Sequence, residues 1–235
     1  MPLNVRAVFF IVALASARFA AAATIVDQSH WPEIDRFSVA TANVGASNAI
    51  DWAQTFTVGQ SGHLVGVDVL VARNRSVTLP LLFDIRTLDG ALPSSADAGP
   101  NVIISGAISA SVVPILTDAI NPDVNDFGSV HLSFDGVAVF PGQQLALALR
   151  SDNEGEPYAF TYVWGLSETP LYAGGGHYAR WESDAWSERL LSATGYDMAF
   201  KTYIRTIPEP SSVGACLLGF AIIATCRRLR MSFRC

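Results

Sequence analysis

Cysteine is absent from residues 24 to 206; the chain's three, Cys216, Cys226 and Cys235, all fall near its C-terminal end. That absence excludes a disulfide framework, a thiolate metal site and cysteine catalysis from the central stretch. A domain of this length can do without disulfides because its core is large enough to hold it together. Cations are scarce as well. Residues 24 to 206 hold nine Lys and Arg against twenty Asp and Glu. So acidic a body repels phosphate backbones, which excludes nucleic acid as a partner. Sustained 3.6-residue apolar periodicity with helix caps is also missing from the body.

Catalytic signatures are thin. His30, His63, His131 and His177 are scattered, and no two share zinc-ligand spacing. His131 falls on the polar side of its segment and reads as a solvated side chain. Gly59-Gln-Ser61-Gly62 lacks the final glycine of a nucleophile elbow and reads as a turn. Gly174-Gly175-Gly176-His177 reads as a flexible hairpin connection.

The two ends carry what the body lacks, long apolar runs beside arginines. Arg6 precedes Ala7-Val-Phe-Phe-Ile-Val-Ala-Leu-Ala15, and an alanine string closes at Ala23. A basic start, a short apolar core and small residues make a secretory signal peptide, residues 1–23. Ala21 and Ala23 supply the small side chains that signal peptidase needs, leaving Thr24 as the new N-terminus. At the other end Pro208-Glu209-Pro210 leads into the uncharged run 211–226, followed by Arg227, Arg228 and Arg230. As a helix that run measures about 24 Å, against a hydrocarbon core of about 30 Å. It is expected to be a transmembrane helix, short for a permanent anchor and adequate for a transient one. Arginines stay cytoplasmic by the positive-inside rule, which places residues 24–206 outside the cell.

A Pro-Glu-Pro box, one apolar helix and a terminal arginine cluster resemble the PEP-CTERM sorting signal of Gram-negative and related bacteria. The resemblance covers only about residues 206 to 231. It implies recognition by exosortase, a membrane enzyme found mostly in species that make exopolysaccharide. It also implies that the tail, residues 207–235, is cut off after export.

Between these ends, period-two alternation predicts strands. Trp52, Phe56 and Val58 face one way and Ala53, Thr55 and Thr57 the other. Val65, Val67, Val69 and Val71 form a stripe, as do Leu79, Leu81, Phe83 and Ile85 before the turn Asp89-Gly90. Val130, Leu132 and Phe134 precede the turn at Phe140-Pro-Gly-Gln143, and Leu145, Leu147 and Leu149 follow it. Tyr158, Phe160, Tyr162 and Trp164 share one face, and Met198, Phe200, Thr202 and Ile204 close the series. The expectation is an all-β chain with one antiparallel β-sandwich, jelly-roll-like, over residues 24–206.

Three groups of residues are candidates for chemistry. Tyr172, Tyr178, Trp181 and Trp186 surround the three-glycine segment with Arg180, Glu182 and Asp184 nearby. Sugars stack on such rings while the charged groups bond hydroxyls, so the four are candidate glycan-binding residues; the alternative is that the tryptophans pack across a short hairpin. Asp118, Asp123, Asn125 and Asp126 loosely resemble a calcium loop but miss its register, so calcium stands against an Asx-turn reading, and no other cofactor is expected. Glu154, Glu156, Glu168, Glu182 and Glu188 could supply the paired carboxylates of a glycosidase. The expected protein is an exported, non-catalytic surface or matrix protein, with signal peptidase, exosortase, the membrane and exopolysaccharide as partners. The alternative is a secreted carbohydrate-active hydrolase.

Overall fold

The computed structural model describes residues 22–32, 41–44, 50–97, 99–118, 122–151, 162–167, 172–181, 184–188 and 196–207. Thr24–Thr206 form one compact unit whose regular elements, among the described residues, are strands and two short 3-10 turns. The other unit is Met1–Ala23 with Ile207–Cys235; the signal peptide and tail helix expected there from sequence lie outside the described residues, of which this unit has only 22, 23 and 207. Among the described residues no helix is long and apolar enough to cross a membrane.

Among the described residues fourteen strands run β1 (Thr24–His30), β2 (Thr41–Val44), β3 (Ile50–Thr57), β4 (Gly62–Arg73), β5 (Leu81–Asp89), β6 (Leu92–Pro93) and β7 (Val102–Ile108). They continue as β8 (Gly128–Val139), β9 (Gln144–Ser151), β10 (Tyr162–Ser167), β11 (His177–Trp181), β12 (Ser187–Glu188), β13 (Asp197–Met198) and β14 (Phe200–Thr206). They make two antiparallel sheets. In the first, β4 is central, with β8 along one edge; β14 and then β10 pair along the other, β1 lies beyond β14, and β2 and β13 pair with β10. In the second the order is β12-β11-β3-β9-β5, with β6 and β7 paired to β5.

The alternation read from sequence decides which side chains meet between the sheets. Val67, Val69, Val71, Trp164 and Phe200 from the first sheet share a core with Phe56, Leu81, Ile85, Leu145, Leu147 and Leu149 from the second. The rings of Phe56 and Phe200 touch across it at 5.9 Å between centroids. Burying one such side chain stabilises by about 1.5–3 kcal/mol, and more than twenty do so without a disulfide. The Asp89-Gly90 turn closes β5 on β6, and Gly90 takes φ 65°, where a Cβ would be strained.

Three expectations fail locally, the first being Leu79, which lies ahead of β5 and is exposed instead of joining its inward stripe. Val65 does not belong to the inward stripe. Gly66 pairs with Ser133 and Tyr203, whereas Leu64 pairs with Val137 and Ile204, so Val65 is an extra residue on β4. Phe134, Asp135 and Gly136 bulge opposite it, with Gly136 at φ 91°. A bulge shifts the alternation by one, so Leu64 fills the core position and Val65 is half-exposed. Nor is the three-glycine segment a loose connection. Thr55 N donates to Gly176 O at 2.9 Å, Gly176 N donates to Thr55 Oγ1 at 2.8 Å, and Thr57 Oγ1 donates to Gly174 O at 2.7 Å. The segment lies along β3, where a Cβ on Gly175 would meet the Thr55 carbonyl. From it His177 enters β11 buried.

Candidate functional site

Outward positions of the second sheet carry the most concentrated chemistry. Alternation turns Phe83 and Ile85 inward, so Asp84 and Arg86 point to the other face, as do Arg150 on β9, Asp51 on β3 and Arg180 on β11. All of these but Arg150 are buried. Asp84 and Arg86 are 0% exposed and Arg180 is 1% exposed. The segment around Ser94–Asp97 and the ring of Trp186 cover them.

Asp84 accepts from Arg86 Nε at 2.5 Å and Nη2 at 2.7 Å, and from Arg150 Nε at 2.9 Å. Arg86 Nη1 also donates to Ser94 O at 2.7 Å. Arg180 donates to Asp51 Oδ2 from Nε at 2.9 Å and to Asp97 Oδ1 from Nη2 at 2.5 Å. Trp186 rests on Ala53 and Ala148, donates its Nε1–H to Ser94 O at 3.2 Å, and lies under two guanidinium groups, Arg180 at 4.8 Å and Arg86 at 5.4 Å. Small alanines on β3 and β9 leave the space that the indole fills. Burial pushes the Asp51 carboxyl up to about 6, against the pull of Arg180 and Arg150. Burial also acts on Asp97, but hydrogen bonding to Arg180 and the charges of Arg180, Arg86 and Arg150 outweigh it and hold its carboxyl below the usual range.

On the outer face of the first sheet, Asp68 of β4 joins neighbours on both sides. His131 Nδ1 lies 2.6 Å from Asp68 Oδ1, and Tyr203 donates its hydroxyl to Asp68 Oδ2 at 2.5 Å. The hydrogen bond to Asp68 is the main reason why the Tyr203 hydroxyl is pushed up to about 12. His131 therefore has a carboxylate partner, although its side chain is 54% exposed as the sequence suggests.

A third cluster is internal. Asp197 accepts from Tyr172 N at 2.9 Å and Gln54 Nε2 at 3.2 Å, and faces His177 Nδ1 at 3.6 Å. His30 is buried nearby, 6.1 Å from the Tyr172 ring between centroids. Burial lowers the His30 pKa, against the charge of Asp197 and a backbone hydrogen bond to Ser167.

The four candidate glycan-binding residues do not form one platform. Tyr172 packs against the main core edge-on to Phe200 at 5.2 Å and donates its hydroxyl to Gln28 at 2.7 Å. Trp186 is 2% exposed, on the other side of β3, and has no face to offer a sugar. Tyr178 packs against that same small cluster. Trp181, three positions on, falls on the opposite face of β11 from Tyr178. The tryptophan-packing alternative describes Trp186.

In the aspartate loop, Asp123 caps the 3-10 turn Val124–Asp126 by accepting from Asn125 N at 2.8 Å. Asp126 accepts from Asp123 N and Thr117 Oγ1, both at 3.0 Å. Those carboxylates are turned onto their own loop as Asx-type caps. Asp118 has interactions of its own. Among the described residues no three His, Cys, Asp or Glu side chains gather as a metal site. Ala23 is described and exposed, next to the start of β1. Ala21, Pro208, Glu209, Pro210, Arg227, Arg228 and Arg230 lie outside the described residues, as do Glu154, Glu156, Glu168 and Glu182.

No family model and no curated protein matches the chain. The sandwich is similar to part of the clostridial cysteine protease Cwp84 after propeptide cleavage, with TM-score 0.53 and 12% identity. That likeness covers 78% of this chain and 40% of Cwp84, so the chain spans well under half of that protein. A second structure, of the cysteine protease and lectin-like domains of Cwp84, a surface layer associated protein of Clostridium difficile, aligns over 68% of this chain and 33% of that one, with TM-score 0.45 and 13% identity. At such identity the first likeness speaks for fold alone.

Proposed function

We propose that the chain is an exported, non-catalytic protein of the cell surface or extracellular matrix, carried by a PEP-CTERM tail through an exosortase and contacting exopolysaccharide or other envelope components. The observation that carries this reading is the succession Pro208-Glu209-Pro210, apolar 211–226 and Arg227, Arg228, Arg230 behind a body that begins directly after Ala23. The fold supports it in three ways. Thr24 is the first residue of β1 and pairs with Arg205, so a cut after Ala23 leaves the edge strand whole. Consecutive strands from β3 through β5 and from β7 through β11 change sheets, which favours a jelly-roll-like sandwich, a form that needs no cofactor to close. Its buried charges are spent on one another in ion pairs that tie down covering segments.

The protease activity of Cwp84 does not accompany the fold here, because the unit Thr24–Thr206 contains no cysteine. Since Trp186 is sealed, the polysaccharide contact is assigned to the intact domain and to no aromatic pair. Binding of the purified protein to a polysaccharide array from exosortase-bearing bacteria is the test. Retention on one such polymer, with no release of sugar from it, is the expected outcome. Reducing sugar released in proportion to protein would replace this reading with the hydrolase.

A further inference from the structure

The internal cluster does something the outer ion pairs do not: it ties the two sheets together through buried imidazoles and a carboxylate. His30 closes β1 and Asp197 opens β13 in the first sheet, while Gln54 on β3 and His177 on β11 belong to the second. All four residues are at least nine-tenths buried. His30 Nε2 and His177 Nε2 have no hydrogen-bond partner. On the other side of each ring, His177 Nδ1 faces Asp197 Oδ1 at 3.6 Å and His30 is held by a backbone hydrogen bond to Ser167. Each imidazole thus keeps a bare Nε2 in the interior.

A bare nitrogen lone pair is a modest cost in an interior, whereas a charged ring with an unaccepted N–H is a large one. We propose that His30, His177 and Asp197 form an acid-released latch, in which proton uptake at buried His30 opens the corner tied by β1, β11 and β13 before the domain as a whole unfolds.

The surroundings offer little compensation for the new charge. Asp197 is the carboxylate in contact, and it already serves Tyr172 N and Gln54 Nε2. Asp27 on β1 is engaged with Gly59 N at 3.0 Å, and Lys201 on β14 lies over the Trp31 ring at 4.4 Å, adding a like charge on the neighbouring strand. The hydroxyl of Tyr172 is bound to Gln28 and stays protonated, its pKa raised by burial.

The sign follows from linkage. The folded pKa of His30 lies below its ordinary 6.5, so its contribution is fully present above that value and is lost as the pH falls through the window beneath it. Burial pushes Asp197 upward, but its bonds to His177, Tyr172 N and Gln54 and the His30 charge hold it below 3.8, so its own loss comes later, in stronger acid. Zinc is the competing occupant of two bare imidazole nitrogens. No third ligand joins them among the described residues, which favours a proton.

The test is hydrogen exchange on the full chain in detergent at about pH 7.5 and pH 5, corrected for intrinsic rates. Protection of β1 and of 172–181 should fall about tenfold or more relative to β9, because charging a buried imidazole favours the open corner. A His30→Gln and His177→Gln double variant should lose that differential. A second measurement covers failure of the variant to fold: in the unaltered chain, the imidazole resonances of His30 should titrate below 6.5 in step with shifts at Asp197. Protection that falls equally in β9, or a His30 midpoint at or above 6.5, would overturn the latch. So would stabilisation by zinc at neutral pH that depends on both histidines, since the corner would then be a metal site.

Discussion

Replacing Asp84 with Asn keeps the shape of the side chain and removes one charge from the centre of the covered face. Arg86, 0% exposed, would lose the negative charge it faces and one of its contacts at 2.5 and 2.7 Å, keeping the Asn carbonyl oxygen, Ser94 O, the Trp186 ring and the more distant Asp97 Oδ1 at 3.5 Å. Arg150 is 24% exposed and can turn toward water, so the cost concentrates on Arg86. Removing one partner of a buried ion pair costs about 3–5 kcal/mol because the other charge is left uncompensated. For a domain of this size that corresponds to a fall in Tm of about 6–20 °C. Removing both charges, as Asp84→Leu with Arg86→Met, should be far milder than Asp84→Asn, because no orphan charge remains. Urea denaturation followed by tryptophan fluorescence reads both. A cost below about 1 kcal/mol for Asp84→Asn, the value of an exposed pair, would refute the argument that the covering segment keeps water out.

Trp186→Ala should cost about 3–5 kcal/mol in the same denaturation assay, and should leave polysaccharide retention per folded molecule unchanged, because the indole is covered. Gly175→Ala forces a Cβ against the Thr55 carbonyl and should destabilise by about 1–3 kcal/mol, read as a lower urea midpoint with an unchanged slope. Tyr203→Phe removes a hydroxyl from a half-exposed hydrogen bond to Asp68 and should cost only about 0.5–1.5 kcal/mol by thermal melting.

The strands were legible because their alternation is local. Leu145, Leu147 and Leu149 all point inward, and so do Met198, Phe200 and Ile204. What alternation cannot show is what lies over an outward face. Asp84, Arg86 and Arg180 occupy positions that a single strand marks as solvent-facing, and only the long-range folding of Ser94–Asp97 and Trp186 across them makes them interior. For the same reason Trp186 reads from sequence either as a sugar-stacking ring or as a packing residue, since its partners Ala53 and Ala148 are more than thirty residues away and too small to suggest a seat. A bulge is equally hidden: Val65 has the right residue type for the stripe and loses its place to a register shift set by Gly136. The buried histidines had no signal in spacing, because His30 and His177 meet Asp197 through three different strands. The Asp123 cap, by contrast, is a local Asx pattern and was open to reading as such.

The central claim, export with removal of both ends, is tested most directly by mass spectrometry of both terminal peptides of the mature protein, recovered from the surface of a host that carries an exosortase. The account expects an N-terminal peptide beginning at Thr24 and a C-terminus upstream of the apolar run 211–226. It also expects cleavage at the C-terminus to stop when Pro208-Glu209-Pro210 is changed to alanine. Recovery of the intact Cys235 terminus from fully matured surface protein would contradict it.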